Sequence, residues 1–510
     1  MTGGAAGGAP PEPAVTRGDV ARGAGLAGLS RAGALIEALA QPLFTWLFGL
    51  PTYGLYVVLW AAINLAENIV DLSMTAALQR VVPTAGGEDR AHGAVKLALL
   101  IAVVPASLIA LLVTLNAQSV ASLLSAAPAD RATLPLAISI FVWALPLWAF
   151  VEVATSAARA RRAFGPEIRL RIFWEQIARI LFALLFFGLG MQSIGLMVAH
   201  LCSLVLTACL CVPLLGRYYD LRLLLRAPID RALAKDLLGT GLALLPSSLS
   251  RRLLIDAPPL VLNMMLPGAR GATAAGLFEI ARKIATIPLI VRQAFHYVMA
   301  PLSSAQARAD RTALEPLYRF ACRVSTALVV PLAGLIVFAG ADILSVYRPE
   351  AAAALPLLYI LVAARGIEAI LGPATPIVEM TGHRGLPVLN SVAAACLWGA
   401  LTAWLVPERG ALGMAIATAA ATLLAVAAAT VELRITEHLV FFDRRLGFAL
   451  AIALGGVTLM ALAEHLTGGP ARFASVLLLW AATSWTALRY GLVRSDREAL
   501  GGLATKLRLL

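Results

Sequence analysis

Charged residues are scarce in this sequence, and their scarcity is the first constraint on its fold. Only 14% of the 510 residues are Asp, Glu, Lys or Arg, whereas soluble domains carry about 25%. Hydrophobic residues make up 60% of the chain and occur in long runs. This composition excludes a soluble fold and predicts an all-α polytopic membrane protein.

Cysteine is also rare, and none of the five cysteines has a spacing typical of metal ligands. All five lie within apolar runs, which indicates small core residues rather than a disulfide framework: Cys202, Cys209, Cys211, Cys322 and Cys396. The sequence has no His-Glu-x-x-His, Cys-x-x-Cys or Walker motif. We therefore predict no metal, no cofactor and no direct ATP hydrolysis, and a proton or sodium gradient is the possible source of coupling.

Lysine is nearly absent, but arginine is abundant and brings the net charge to +12. The basic residues are strung between apolar runs and form no single patch, so we predict no nucleic acid partner. Their distribution instead follows the positive-inside rule. If the N-terminus is cytoplasmic, only five of the 41 Lys and Arg residues fall in outside loops, namely Arg131, Arg270, Arg348, Arg409 and Arg472. This asymmetry predicts that both termini are cytoplasmic.

The apolar runs predict about 14 transmembrane helices, at roughly 20 residues for each span. The predicted spans begin near Leu26, Gly54, Ala94, Leu134, Leu170, Ile194, Gly239, Gly276, Leu314, Ala352, Leu386, Ala411, Leu446 and Phe473.

An internal repeat divides these spans into two lobes. The run from Leu50 to Tyr56 resembles Leu266-Pro267 followed by Ala275 to Phe278, and Glu152 has a counterpart in Glu368. Both pairs imply an offset of roughly 220 residues, which predicts two pseudo-symmetric six-helix lobes plus two C-terminal helices. The predicted segments are a disordered N-terminus (1–24), an N-lobe (25–215), a basic linker (216–236), a C-lobe (237–435), two further spans (446–492) and a basic tail (493–510).

The stretch from Pro246 to Pro301 carries more charge than a membrane span tolerates unless the charges face a cavity or a bundle interior. The five cations on its two predicted helices exceed the two carboxylates there, and the excess suits an anionic ligand such as a phosphate. The predicted substrate-binding cations are Arg251, Arg252, Arg282, Lys283 and Arg292, with Asp256 and Glu279 as acidic neighbours and possible coupling sites. Arg251, Arg282 and Arg292 have no evident local partner in the sequence, which favours a position facing the cavity for these three.

The first two spans carry a polar face of mostly opposite sign. Asn64, Glu67, Asn68, Asp71 and Thr75 follow the spacing of one helix face. Glu37 lies on the polar side of the first span, close to Arg31. We predict that Arg31, Asn64 and Asn68 contact substrate, that Glu37, Glu67 and Asp71 are possible ion-coupling residues, and that the two lobes form an acidic and a basic wall.

The alternative interpretation is that these charges pair within the bundle and hold helices together. This applies to Arg252 with Asp256 and to Glu279 with Lys283, which are four residues apart. For five further charges near span ends, snorkelling to the interface is the simpler interpretation: Glu152, Glu175, Arg179, Arg365 and Glu368.

The chain resembles the multidrug/oligosaccharidyl-lipid/polysaccharide (MOP) flippase superfamily, and within it the polysaccharide-biosynthesis branch. The resemblance rests on Leu50 to Tyr56, Asp71 to Pro83, Gly276 to Arg282 and Val298 to Ser303. Peptidoglycan-precursor flippases also have 14 spans but carry a charged Arg-Asp motif where this chain has Tyr53-Gly54. Multidrug exporters of the superfamily usually have twelve spans.

The resemblance implies alternating access and transfer of a polyprenyl-pyrophosphate-linked oligosaccharide across the bacterial inner membrane. Its implied partners are the lipid-linked oligosaccharide, membrane lipids, and the polysaccharide polymerase and chain-length machinery. The alternatives are a peptidoglycan lipid-precursor flippase and a cation-coupled drug exporter. A membrane-embedded glycan polymerase or ligase is a further alternative, but the longest predicted outside loop, 116–133, offers only Asp130 and Arg131 as charged groups.

Overall fold

The chain folds into helices and contains no β-strand within the residues that the computed structural model describes. These residues are 36, 39–163, 165, 168–292, 314–380, 385–500 and 502–509. The predicted disordered segment 1–24 lies outside them, as do Arg31 and Glu37.

Within the described residues the N-lobe comprises ten α-helices, one 3-10 turn (Val82–Thr84) and one π-helical turn. The α-helices and the π-helical turn are α1 (Leu39–Phe48), α2 (Leu50–Val70), α3 (Met74–Val81), α4 (Glu88–Leu115), α5 (Ala117–Ser122), α6 (Pro128–Arg131), α7 (Leu134–Phe141), α8 (Ala144–Ala160), π1 (Ile168–Trp174), α9 (Glu175–Gly188) and α10 (Gly195–Tyr218). Their buried faces are rich in alanine, which allows neighbouring helices to approach closely, as small residues do in membrane bundles.

A short linker helix, α11 (Leu221–Arg226), joins the lobes and is fixed at both ends. The Asp220 side chain accepts hydrogen bonds from the first-turn backbone of α11, including Arg222 N at 2.8 Å. At the other end, Lys96 Nζ donates to the carbonyl oxygens of Leu225 and Ala227 at 2.8 and 3.1 Å. The predicted basic linker is therefore packed against the N-lobe.

The C-lobe and the C-terminal helices complete the bundle. The C-lobe contains α12 (Arg231–Met265), α13 (Ala269–Ala285), α14 (Leu314–Phe338), α15 (Gly340–Ser345), a 3-10 turn (Pro349–Ala354), α16 (Leu355–Leu371), α17 (Ala374–Met380), α18 (Gly385–Arg409) and α19 (Ala411–Thr436). The C-terminal part contains α20 (Arg444–Leu466), α21 (Gly469–Gly491), α22 (Arg494–Ala499) and α23 (Gly502–Lys506). The predicted basic tail forms α22 and α23, and Leu509 beyond them is fully buried.

Ten helical segments in the described ranges are long and apolar enough to cross a membrane. Four further segments occupy the positions of the other predicted spans: α1, π1 with α9, α12, and α13. Three of these segments, namely α1, π1 with α9, and α13, are short or border on residues outside the described ranges. The remaining one, α12, carries several charges. The predicted number of 14 spans is compatible with this arrangement.

The lobes contact each other at both ends of a central space. At the end where α1 meets α2, which we call the Gly49 end, Trp46 Nε1 donates to Val346 O at 2.9 Å. There the Asn263 side chain also bonds both backbone groups of Ser125, at 2.7 and 2.9 Å. At the opposite end, which we call the Ser73 end, the hydroxyls of Ser73 and Ser248 are 2.8 Å apart.

The second predicted span is interrupted, which corrects the expectation of one continuous polar helix. Leu72 and Ser73 both have positive φ angles, 49° and 60°, so α2 ends at Val70 and α3 begins at Met74. The left-handed region is unfavourable for residues with a side chain. The break places the Leu72 carbonyl against Gly241 of α12, where a Cβ atom would lie only 2.5 Å from the oxygen.

Candidate functional site

A cavity of about 450 Å³ lies between the lobes, midway along α2. The N-lobe lines it with α1, α2, α8, π1 and α9, and the C-lobe lines it with α12 and α13. Its charged lining residues are five cations and three carboxylates: Arg171, Arg179, Arg252, Arg282, Lys283, Glu175, Asp256 and Glu279. The cavity therefore has a positive excess, which favours an anionic ligand.

The C-lobe wall holds several of the residues predicted from the sequence. Arg252 and Asp256 form an ion pair one turn apart on α12, with Nη1 and Oδ2 3.5 Å apart. Lys283 Nζ lies 4.0 Å from Glu279 Oε1 on α13. The predicted pairs thus form, and the same side chains line the cavity, so pairing and exposure to a ligand are compatible here.

Arg282 and Arg292 each have a carboxylate partner, contrary to the expectation from the sequence. Arg282 binds Glu279 in a bidentate arrangement, with distances of 2.8 and 2.7 Å. Arg292 Nη1 donates to Glu368 Oε1 at 2.6 Å, while Arg365 binds the other oxygen of Glu368. Glu368 lies on α16, distant in sequence, so the pair could not be recognised from local spacing. Arg292 does not line the cavity.

The N-lobe wall is not acidic, which corrects the prediction of two walls of opposite charge. Arg171 and Arg179 line it together with Glu175. Arg171 bonds both oxygens of Glu152, at 3.0 and 2.8 Å, and Arg179 pairs with Glu175. Glu175 and Arg179 are 2% and 6% exposed, so they do not snorkel to an interface. Buried acids and arginines that satisfy each other in this way are typical of a functional path through a membrane protein.

Aromatic side chains form a further part of the N-lobe wall, and they were not predicted from the sequence. Tyr53, Tyr56, Trp60 and Trp148 line the cavity. The Trp60 and Trp148 rings contact edge to face at 5.2 Å, and the Arg171 guanidinium lies 4.5 Å from the Trp148 ring centroid. A signal was present in the sequence, because Tyr53, Tyr56 and Trp60 recur at the spacing of one helix face.

Of the polar residues predicted on the second span, some line the cavity and others do not. Asn64 lines the cavity, whereas Glu67 and Asp71 are buried beside it, at 4% and 3% exposure. Arg252 is close enough to interact electrostatically with both carboxylates. The Thr75 hydroxyl donates to Asp71 Oδ2 at 3.0 Å. Asn68 does not line the cavity, so its predicted role as a substrate contact remains a prediction, as do the coupling roles of Glu67 and Asp71.

Arg251 lies outside this arrangement. It is exposed and does not line the cavity, although it neighbours Arg252 in the sequence. Consecutive residues on a helix point about 100° apart, which accounts for the difference.

Asp130, in the predicted outside loop, is buried and therefore not accessible as a catalytic group at the protein surface. It is 3% exposed, and both its carboxylate oxygens accept from the Thr52 hydroxyl, at 3.1 and 3.0 Å. Burial raises the pKa of Asp130, and the hydrogen bond from Thr52 opposes that rise. In the described part of the chain, no group of three or more metal-ligating side chains occurs.

The helical bundle and its inter-lobe cavity define a multi-pass membrane protein with a transporter fold. A structure of the lipid II flippase MurJ in an inward closed conformation aligns with a TM-score of 0.71 at 11% identity, covering 91% of this chain and 97% of that one. An inward-facing multidrug resistance MATE family transporter of the MOP superfamily aligns with a TM-score of 0.58 at 14% identity, covering 81% and 94%. At these identities the likeness shows the fold alone.

The sequence comparison gives the family. The family described as polysaccharide biosynthesis protein matches residues 47–348, which is more than half of the chain. The chain therefore belongs to the polysaccharide biosynthesis protein family, and the predicted resemblance to the MOP superfamily is confirmed at the level of the fold. Comparison with curated proteins gives no match.

Proposed function

We propose that this protein is a flippase that moves a polyprenyl-pyrophosphate-linked oligosaccharide across the bacterial inner membrane by alternating access. The observation that carries the proposal is the composition of the inter-lobe cavity. It combines a cationic face with an aromatic face in one space. The family match to polysaccharide biosynthesis supports this choice of substrate.

The C-lobe face is suited to the pyrophosphate. Arg252, Arg282 and Lys283 point their charges into the cavity from two adjacent helices. Arginine donates several hydrogen bonds from a planar group and so matches phosphate oxygens. Asp256 and Glu279 hold these cations in place before the ligand arrives, and a doubly charged pyrophosphate can compete with them for the same donors.

The N-lobe face is suited to the glycan. Aromatic rings present flat apolar surfaces that pack against the C–H faces of sugar rings, while Asn64 and Gln176 supply amide groups for hydroxyls. A ligand with an anionic end and a carbohydrate end would therefore span the cavity from one lobe to the other. Closure on such a ligand draws both lobes together, which gives the differential affinity that alternating access requires.

The predicted topology places the Gly49 end outside and the Ser73 end in the cytoplasm. The substrate would enter from the inner leaflet and leave toward the outer leaflet, where the polysaccharide polymerase and chain-length machinery would receive it. A proton or sodium gradient is the proposed energy source, since the chain has no Walker motif.

The proposal can be tested in a deletion strain examined for lipid-linked repeat units retained in the inner leaflet. Complementation with wild type should restore surface polysaccharide, whereas the double variant Arg252→Gln, Arg282→Gln should not. Each charge-assisted hydrogen bond contributes about 1.5 to 3 kcal/mol, so the loss of both should weaken binding at least about a hundredfold.

The matched control is Arg270→Gln, which removes an exposed arginine from the first turn of the helix that carries Arg282. It should complement normally at equal expression. Normal surface polysaccharide in the deletion strain would overturn the proposal. Loss of peptidoglycan-precursor export or increased drug sensitivity, with polysaccharide intact, would point to the two rival transport functions. Polymerisation by the purified protein alone would point to an enzyme.

A further inference from the structure

A network of four buried side chains lies in the N-lobe, three of them in the cavity wall and the fourth behind it. Tyr56 Oη and His200 Nδ1 are 3.0 Å apart, and Arg179 Nη1 donates to Tyr56 Oη at 3.3 Å. Arg179 also pairs with Glu175, whose Oε1 lies 3.8 Å from His200 Nε2. Tyr56, Glu175 and Arg179 line the cavity, whereas His200 is 0% exposed. The histidine thus reaches the cavity through its three neighbours.

Aromatic rings surround the His200 imidazole. The ring centroids of Trp60, Tyr56 and Phe141 lie 4.2, 5.6 and 5.6 Å from that of His200. A charge in such surroundings is costly unless a counter-ion is close and its donors are satisfied. For an imidazolium at this position, that counter-ion is Glu175.

The geometry accommodates His200 in two protonation states. In the neutral state the Tyr56 hydroxyl donates to Nδ1, and Nε2–H faces Glu175. When a proton from the cavity adds to Nδ1, the new Nδ1–H donates to Tyr56 Oη and the Tyr56 hydroxyl proton turns aside. A phenol oxygen can donate and accept, so one rotation of the O–H group accommodates the change without moving the backbone.

The charged groups around the His200–Glu175 pair come from several packed elements. Helix α9 contributes Glu175 and Arg179, and π1 contributes Arg171, which also acts on Glu175 electrostatically. Helix α8 contributes Glu152, which is held by Arg171, and α2 contributes only the uncharged Tyr56. Arg179 therefore decides how fully Glu175 is available to His200, because the two cations share one carboxylate.

We propose that His200 and Glu175 form a proton-binding site that is linked to anion binding at Arg179. The inference rests on the proposed function in one respect, that an anion enters the cavity. An anion that draws Arg179 toward the cavity leaves Glu175 with its full charge beside the imidazole, and His200 then takes up one proton. By linkage, the bound proton strengthens anion binding by the same factor.

Trp60 provides a reporter for this site, because a protonated imidazole quenches a neighbouring indole more strongly than a neutral one. The full-length protein in detergent would be titrated from pH 8 to pH 5, the range in which histidine ordinarily changes its charge. The wild type should lose fluorescence on acidification, and this loss should be absent in both His200→Gln and Trp60→Phe. His465→Gln, which changes an exposed histidine at the end of α20, should titrate like the wild type. Identical titrations for wild type and His200→Gln would overturn the proton site.

The linkage is tested by repeating the titration with inorganic pyrophosphate. In the wild type, quenching should extend to higher pH when pyrophosphate is present. Arg179→Gln should show the extended quenching without pyrophosphate and no further response to it. A His200-dependent titration that pyrophosphate leaves unchanged would overturn the linkage. Failure of the proposed transport function would appear separately, as normal surface polysaccharide in the deletion strain.

Discussion

Gly54 of α2 and Gly276 of α13 meet backbone to backbone at the Gly49 end of the bundle. A Cβ atom added to Gly276 would lie 3.2 Å from Gly54 Cα, and one added to Gly54 would lie 1.9 Å from Ala272 O. The internal repeat pairs these two glycines, in Tyr53-Gly54-Leu55 and Ala275-Gly276-Leu277. Equivalent positions of two pseudo-symmetric lobes therefore contact each other, as expected for residues beside the axis that relates the lobes.

This contact predicts that Gly54→Ala prevents closure at the Gly49 end. The added methyl group cannot be accommodated against a backbone oxygen, and overpacking of this kind costs about 1 to 3 kcal/mol. Spin labels at Gln118 and Glu350, both exposed at that end of their lobes, should show a longer separation in the variant. Glycan export should fall as well, because one of the two alternating states is disfavoured.

The control for this variant is Gly455→Ala on α20, where an added Cβ meets nothing within 4 Å. Alanine at an open helical position is neutral or stabilises by about 0.5 to 1 kcal/mol. Gly455→Ala should therefore leave both the label separation and export unchanged. A Gly54→Ala protein with wild-type separation would show that the glycine contact does not govern closure.

The fold was largely predictable because each transmembrane helix forms its own backbone hydrogen bonds and is recognisable as a long run of apolar residues. The repeat identified from Tyr53-Gly54 and Glu152 was also informative, since Glu152 and its counterpart Glu368 are both buried acids bound by arginine. What the sequence did not reveal was the break at Leu72 and Ser73. Neither residue favours the left-handed conformation, and the break forms where α3 packs against α12.

The candidate site was predictable on one side only. Arg252, Asp256, Glu279 and their neighbours form pairs within a helix, so their spacing shows them. On the other side the Arg179–Glu175 pair has the same spacing of four residues, but Arg171 binds Glu152 of a different helix, and spacing along one helix carries no information about such a contact. From the sequence, Glu175 was interpreted as snorkelling to the interface because it lies near the end of a span. Whether a residue is buried depends on how its helix packs, which the sequence does not show.

The aromatic face predicts that Trp60→Ala reduces glycan export about tenfold, while Trp60→Phe retains most of it. An aromatic contact contributes about 0.5 to 1.5 kcal/mol beyond its buried area, and phenylalanine preserves a flat ring. The measurement is export of repeat units at matched expression. The control is Trp404→Ala on α18, where the wild-type side chain is 68% exposed, and this variant should export normally. Equal export by all three variants would exclude a stacking role for Trp60.

The three-residue cluster in the C-lobe predicts that Glu368→Gln destabilises the protein. Glu368 is the shared partner of Arg292 and Arg365, with both distances 2.6 Å. Removing one member of a buried ion pair costs about 3 to 5 kcal/mol, because it leaves charges without compensation. Thermal unfolding in detergent should show a midpoint several degrees lower, about 5 °C or more, by the usual relation between free energy and midpoint. Glu408→Gln, at an exposed position near the end of α18, should unfold like the wild type, and an equal midpoint for Glu368→Gln would contradict the assigned pairing.

The C-terminal tail allows a buried and an exposed ion pair on one short helix to be compared. Asp496 of α22 is 6% exposed and binds Arg323 Nε at 2.8 Å, while Asp443 binds the same guanidinium at 2.7 Å. Glu498, two residues farther along, binds Arg494 at 2.9 Å on the open surface. Asp496→Asn should cost about 1 to 3 kcal/mol, less than for a wholly unpaired charge because Asp443 remains.

Glu498→Gln should change stability by less than about 1 kcal/mol, and its small effect should vanish at 1 M salt, because exposed pairs are weak and screened. The effect of Asp496→Asn should persist at the same salt concentration. Thermal unfolding of the two variants at low and high salt distinguishes the cases. Equal effects at both positions would contradict the packing of the tail against α14 through Arg323.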